Sequence, residues 1–205
     1  MTESTEASVV TDPYNAEYGL TFPTVSADAV TVSHGHRDHN AAALVGGQPM
    51  VLDKPGSFEV NGIHIYSIMS YHDQKKGALR GKNLVFKFRI DGVDICHLGD
   101  IGEELSPMLA ELIGSVNVLL IPVGGNYTID ADEAYEYVER LMPDVVIPMH
   151  FKTDDLKIDI DDADDFINKF DDEDIVYVEG DTVEFDRADF DGESTKIIVF
   201  KKADN

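Results

Sequence analysis

The apolar positions of the chain fall into short runs separated by turn residues, and their spacing predicts a mixed α/β fold. Residues 9–11 form a short apolar run that Asp12-Pro13 closes. Residues 29–33 are β-branched and apolar enough for a strand, and Met50–Leu52 is a second short strand. Residues 58–60 and 63–68 flank Asn61-Gly62, and residues 84–90 and 93–98 flank Asp91-Gly92. A two-residue turn of this type holds both central residues at positive φ, which Asn, Asp and Gly tolerate, so both pairs are predicted hairpins. Residues 116–121 and 145–148 are near-continuous apolar runs, as expected of strands buried on both faces. Helical spacing covers Pro107–Ile113, residues 130–141, where Ala134, Tyr137, Val138 and Leu141 share a stripe, and residues 161–170. Residues 175–178, 182–185 and 196–200 read as closing strands. Hairpins early and strand–helix units late predict a layered α/β domain with mixed sheets. The acidic stretch 154–174 is expected to be ordered, because Leu156, Ile158, Ile160, Phe166, Ile167 and Phe170 recur through it.

Composition narrows the function classes. A chain of 205 residues with 43% hydrophobic content suits a single domain over 1–205. No apolar run approaches the ~18 residues of a membrane-spanning helix. The opening Met1-Thr2-Glu3-Ser4-Thr5-Glu6 lacks the basic and apolar parts of a signal peptide, so a cytoplasmic location is expected. A single cysteine, Cys96, excludes an internal disulfide framework and a multi-cysteine zinc site. Forty acids against sixteen bases give a net charge of −24. That balance disfavours a nucleic acid partner held by phosphate neutralisation and excludes an anionic membrane surface. The charge is spread out: residues 1–150 hold 21 acids against 9 bases, and residues 151–205 hold 19 against 7. One reading is a solvated acidic face. The sharper one is a halophile's cytosolic protein, whose self-repulsion is screened by high salt.

The chemistry concentrates in His34-Gly35-His36-Arg37-Asp38-His39, directly after the strand at 29–33. Residues i and i+2 leaving a strand can face one side, so His34 and His36 can grip one metal while Asp38 and His39 face a second. Packed this tightly beside a buried strand, such groups need a cation to offset their desolvation. Imidazole and carboxylate are the ligands zinc and its neighbours prefer. Three further places at the ends of predicted strands can complete a two-metal site: His72, Asp100 and His150. The expected sets are His34, His36 and His72 for one metal and Asp38, His39 and His150 for the other, with Asp100 bridging through its two oxygens.

The run Ser33-His34-Gly35-His36-Arg37-Asp38-His39 resembles the H-x-H-x-D-H pattern of the metallo-β-lactamase superfamily, and His72, Asp100 and His150 match its later ligands in order and context. The segments HLGD, IPVGG and IPMHFKT are most similar to the subgroup holding the L-ascorbate-6-phosphate lactonase and the N-acyl-phosphatidylethanolamine phospholipase. The resemblance runs from about Val9 to Thr153. It implies a four-layer αββα sandwich with the metals at one edge of the sheets. Members usually begin with a strand that precedes the segment matched here by residues 9–13, so the usual first strand is expected to be missing, with truncation or homo-oligomerisation as readings. The implied activity is hydrolysis of a small, anionic ester, lactone, thioester or phosphodiester by a hydroxide bridging two divalent ions, zinc first, with manganese and iron using the same donors. Asp38 and Asp100 would be the catalytic carboxylates, orienting the hydroxide, with Asp38 passing a proton to the leaving group. The alternatives are a non-catalytic metal-binding module, motivated by the missing strand, and a nuclease of the same superfamily.

Residues 75–82 hold four of the sixteen bases. Lys75, Lys76 and Arg80, close after His72, are candidates for binding an anionic substrate, against the plainer reading of a solvated loop. Tyr127, beyond Gly124-Gly125, is a candidate donor to substrate or a packed loop aromatic. His97 reads as a core histidine or a support for the ligands, His64 as solvent-facing, Cys96 as a buried apolar residue, Asp73 as a support for the ligands, and Asp12 as a partner for a ligand histidine. The charge balance generates the first prediction: the midpoint of thermal unfolding rises on transfer from dilute buffer to molar KCl, and equal midpoints count against the halophile reading.

Overall fold

The computed structural model describes residues 1–3, 7–190 and 192–201, so Ser4–Glu6 of the opening stretch fall outside it. Two sheets carry the fold. The smaller has the order β1 (Thr2–Glu3), β2 (Ser8–Thr11), β3 (Ala29–Thr31), β4 (Met50–Leu52), parallel from β2 to β4. The larger has eight strands: β11 (Ile175–Glu179), β12 (Lys196–Lys201), β10 (Val145–Met149), β9 (Val118–Pro122), β8 (Val93–His97), β7 (Lys82–Ile90), β6 (Ile63–Tyr71) and β5 (Gly56–Val60), in that spatial order. Both predicted hairpins form. Asn61 and Gly62 sit at φ 47° and 85°, and Asp91 and Gly92 at 51° and 82°, the double positive-φ geometry that fixes the register of β5–β6 and β7–β8.

The strand directions decide where the site can be. β7 is antiparallel to both β6 and β8, and β8, β9 and β10 are parallel. Strands β6, β8, β9 and β10 therefore all end at the same edge of the large sheet. Alternation along the strands builds the layers. Val9, Ala29 and Leu52 of the small sheet meet Ile63, Ile65, Leu84, Phe86 and Phe88 of the large one in the inter-sheet core. On the opposite face of the large sheet, α1 (Pro107–Ile113), α2 (Ala131–Leu141) and α3 (Asp164–Ile167) pack Leu109, Ile113, Tyr137, Val138 and Phe166 against Val85, Cys96, Leu119, Ile121 and Val146. Each fully buried Phe or Ile in these layers contributes about 1.5–3 kcal/mol. The outer face of the small sheet, Val10, Val30 and Val32, is covered by Phe22, Val25, Ala42 and Val45, in loop and a 3-10 turn at Ala42–Leu44 rather than in an α-helix.

Ahead of β2 the described residues carry only a two-residue strand, in which Thr2 and Glu3 pair antiparallel with Val9 and Ser8. Two expectations are corrected. The helix expected over 161–170 is confined to Asp164–Ile167, because Asp161 is spent on loop contacts, donating its N–H to Gly124 O and accepting that of Lys152. Residues 182–185 form no strand. Thr182 turns back onto its neighbour Asp181, and Phe185 stacks near Phe190 to cover the face of the large sheet at Val118, Val145 and Ile198. No helix among the described residues is long and apolar enough to cross a membrane. Helix α2 begins with a capping box in which Asp130 accepts the N–H of Glu133 and Glu133 accepts that of Asp130. Asp130→Ala should therefore destabilise the protein by about 1 kcal/mol, read as a lower urea midpoint with an unchanged slope.

Candidate metal centre

Every proposed ligand leaves the end of a strand. His34, His36, Asp38 and His39 occupy the turn after β3, His72 follows β6 directly, Asp100 lies three residues past β8, and His150 follows β10. The shared edge of the large sheet gathers the last three, and the backbone joins them to the first four: Leu84, on β7, donates its N–H to Ser33 O at 2.9 Å. The result is three overlapping groups whose ligand atoms lie within 4.8 Å of one another: His34, His36 and His72; His34, His39 and Asp100; and Asp38, His39 and His150. All seven sequence candidates are thus brought to one place.

Asp100 is the centre of the cluster. Its Oδ2 lies 3.2 Å from Nε2 of His39, 3.3 Å from that of His72, 3.4 Å from that of His150 and 3.8 Å from that of His34. Burial pushes its carboxyl up, but His39 and His150 outweigh that and hold it well below the usual carboxylate range. His39 is buried, which disfavours its charge, yet Asp100 and Asp12 on either side raise it well above the ordinary imidazole value. His34, buried beside His39, is lowered to about 3. Its Nε2 also faces Nδ1 of His36 at 3.0 Å.

The donor set fits divalent cations. Imidazole nitrogens converge on a buried carboxylate from three segments, and Nδ1 of His72, Nδ1 of His150 and Oδ1 of Asp100 find no hydrogen-bond partner among the described residues. Polar atoms buried at this density are stabilised by a cation that they share.

The support around the ligands is partly as expected. Asp12, at φ 44°, accepts the N–H of Ser33 (2.7 Å), the hydroxyl of Ser33 (2.6 Å) and Nδ1 of His39 (2.9 Å). Its carboxyl, pushed up by burial, is pulled below its ordinary value by His39 and Ser33. His150 also holds a positive φ of 51°, a strain that the surrounding fold maintains. His97 is buried and outside the three groups, accepting the Gly99 N–H at 3.2 Å. His64 is exposed beside Glu59, and Cys96 is buried with its thiol pushed up to about 12 by desolvation.

Asp73 is placed differently from expectation. It touches no ligand side chain through a hydrogen bond. Instead its carboxylate accepts the N–H groups of Lys75, Gly77, Leu79 and Arg80 at 2.7–3.0 Å and so shapes the basic loop. Lys75 and Lys76 are exposed on that loop. Arg80 donates to Asn126 O at 2.8 Å and lies 5.3 Å above the ring of Tyr127, so these two candidates meet each other. The loop is tied to the centre by His72 N–H donating to Gly81 O, and the Tyr127 loop by Gly124 N–H donating to His150 O. Asn83, which the sequence reading passed over, is fully buried under Asp100 and accepts its N–H at 3.0 Å; the available signal was a polar residue at the head of the apolar strand 84–90.

This geometry predicts metal-linked stability. Chelator-treated protein should gain about 2.7 kcal/mol when a divalent cation is added at a hundred times its Kd, seen as a rise in Tm. Asp100→Ala, which removes the anion that four imidazoles face, should abolish the rise.

Known proteins carry the same pattern. The family profile described as Beta-lactamase superfamily domain matches residues 1–150. A UPF0173 metal-dependent hydrolase of Pelotomaculum thermopropionicum is 32% identical over 157 residues, covering 63% of this chain and 69% of that one. One of Thermococcus onnurineus is 29% identical over 155 residues, with 63% and 69% covered. A candidate Zn-dependent hydrolase of the metallo-β-lactamase superfamily from Thermotoga maritima, a solved structure, matches with a TM-score of 0.79 and 40% identity, covering 95% of this chain and 89% of that one. With two sheets that bring five histidines and two aspartates to one edge, and with relatives of this similarity, the chain belongs to the metallo-β-lactamase superfamily as a metal-dependent hydrolase of the UPF0173 family.

Proposed function

We propose that the protein is a single-domain dinuclear hydrolase of a small anionic ester, lactone, thioester or phosphodiester. His34, His36 and His72 would hold one cation, Asp38, His39 and His150 the other, and Asp100 would be shared. The observation that carries this reading is the one oxygen of Asp100 that faces Nε2 of four histidines within 3.8 Å. A carboxylate surrounded in this way suits a ligand common to two cations, whereas a structural zinc site is closed by four ligands around one. Zinc is the favoured metal, by the donor set and by the description of the Thermotoga maritima relative; manganese and iron accept the same donors.

When bound, such cations supply Lewis acidity and bring the deprotonation of water into the neutral range. The chain's own residues supply the rest. Asp38 is partly open to solvent, with Oδ2 3.8 Å from Nε2 of His39, where it can take a proton from the attacking water and return it to the leaving oxygen. Asp100, kept ionised, balances the charge of the imidazole cluster. Lys75 and Lys76 on the rim attract an anion that the rest of a −24 chain repels. Arg80 and Tyr127, which pack on each other, would form one wall of the substrate site. The resemblance of the segments HLGD, IPVGG and IPMHFKT to the lactonase and phospholipase subgroup would favour a lactone or a phosphodiester among the candidate bonds. The module reading is disfavoured by the full set of seven ligand-type side chains at one place, and a nuclease is disfavoured by the acidic surface.

Metal-reloaded protein should turn over lactones or phosphodiesters from a small-molecule panel, lose that activity to a chelator and regain it with metal. Metal uptake without turnover across the panel would replace the hydrolase reading with the binding module. Asp38→Asn, which replaces an anionic ligand of the second cation, should lower metal content toward one ion per chain and lower kcat by about a hundredfold or more. Replacing Lys75 and Lys76 together by Gln should raise KM severalfold for an anionic substrate and leave a neutral analogue unaffected; equal KM values reject the rim as the anion's site.

A further inference from the structure

We propose that Asn83 is a positioning residue for Asp100, the point at which three ligand-bearing segments are fixed to one another. The inference rests on the reading of Asp100 as the shared ligand. Asn83 is completely buried, and each side of its amide is committed. Its Oδ1 accepts the Asp100 N–H at 3.0 Å, and its Nδ2 donates to Leu98 O and to Ser70 Oγ, both at 2.8 Å. Ser70 in turn donates its hydroxyl to Asn83 O at 3.2 Å. The amide therefore spans the turn from Leu98 to Asp100 and is itself held by the strand that ends at His72.

The neighbouring residue completes the arrangement. Leu84 N–H holds Ser33 O, one residue before His34, so the pair Asn83-Leu84 grips the first-motif turn as well. The space is filled: a Cβ at Gly99 would lie 2.5 Å from Asn83 Oδ1 and 2.6 Å from Ser33 Cβ, and Gly99 holds φ 58°. Only a glycine lets the Asp100 turn close down on the Asn83 amide. A carboxylate that faces four imidazoles needs its backbone fixed to a few tenths of an ångström, and neither flanking residue of this turn supplies a side-chain hydrogen bond to the Asp100 N–H. Asn83 supplies it.

Partners that orient a ligand act on metal affinity. In Asn83→Ser the shorter side chain leaves the Asp100 N–H and Leu98 O without their partner. Affinity for Zn²⁺, measured by competition with a chromophoric chelator, should fall about 10- to 100-fold, and the visible spectrum of the Co²⁺-loaded protein, which reports ligand geometry, should shift. Asn117→Ser is the control. Asn117 likewise cross-links strands, donating to Asp144 and accepting the Asp94 N–H, but lies before β9 at the opposite edge. It should lower Tm and leave Zn²⁺ affinity and the Co²⁺ spectrum unchanged. An Asn83→Ser protein that binds Zn²⁺ within twofold of wild type overturns the inference while the centre stands. A wild type that takes up no cation overturns the reading of the centre and the inference with it. Should Asn83→Ser not fold, hydrogen exchange in the wild type decides: slow exchange of the Asp100 amide supports the inference, and exchange as fast as at exposed Gly35 overturns it.

Discussion

The structure is organised around one carboxylate oxygen. Asp100 is buried, and its Oδ2 lies within hydrogen-bonding or ion-pairing reach of imidazoles from the first-motif turn and from the ends of β6 and β10. Burying an isolated carboxylate is costly, and burying several imidazoles beside it adds further desolvation. The two costs offset each other only if the groups meet at close range, and they meet there only if four strand ends are held in register. Asp12, Ser33 and Asn83 provide that register through bonds of 2.6–3.0 Å. A shift of one residue in β6, β8 or β10 would turn the corresponding ligand to the other face of the sheet.

The topology explains why those ends coincide. The chain reverses in the loop at residues 72–81, between β6 and β7, and again at Asp91-Gly92, between β7 and β8, so that β6 and β8 run in the same direction and end together. Parallel addition of β9 and β10 through α1 and α2 continues that edge. The helices pack on the face away from the small sheet, which leaves the end of the sandwich open between the loops after β3, β6, β8 and β10. A rigid scaffold with chemistry on its loops follows directly from this arrangement.

Much of this was legible in the sequence because the signals were local. The hairpin turns needed only two residues each, the strands at residues 116–121 and 145–148 announced themselves by near-continuous apolar runs, and His34, His36, Asp38 and His39 lay within six residues of one another. The structure brings all seven expected ligands together. What escaped the sequence were contacts set by tertiary packing. Thr182, Val183, Glu184 and Phe185 alternate like a strand, but the position is used to cover the outer face of the sheet. Asp73 stands next to a ligand, yet its carboxylate is consumed by the loop that follows. Asn83 carries no motif, and its importance comes from which backbone atoms the fold places around it. The two-residue strand β1 is too short for any periodicity to reveal.

The basic loop shows how sequence, backbone and charge combine. Its backbone N–H groups at Lys75, Gly77, Leu79 and Arg80 converge as an anion-binding concavity would, but the buried Asp73 carboxylate already fills it. Burial pushes that carboxyl up, and the four donors outweigh burial and keep it ionised. The backbone is therefore unavailable to a substrate. Arg80 is engaged with Asn126 and Tyr127, whereas Lys75, Lys76 and Lys82 of the same segment are exposed. Set in a molecule of net charge −24, these lysines make the loop that follows His72 a local reversal of the prevailing charge. On the proposed reading of an anionic substrate, its attraction would rest on these side-chain charges rather than on a shaped backbone cradle, and would weaken with salt because the lysines are solvent-exposed.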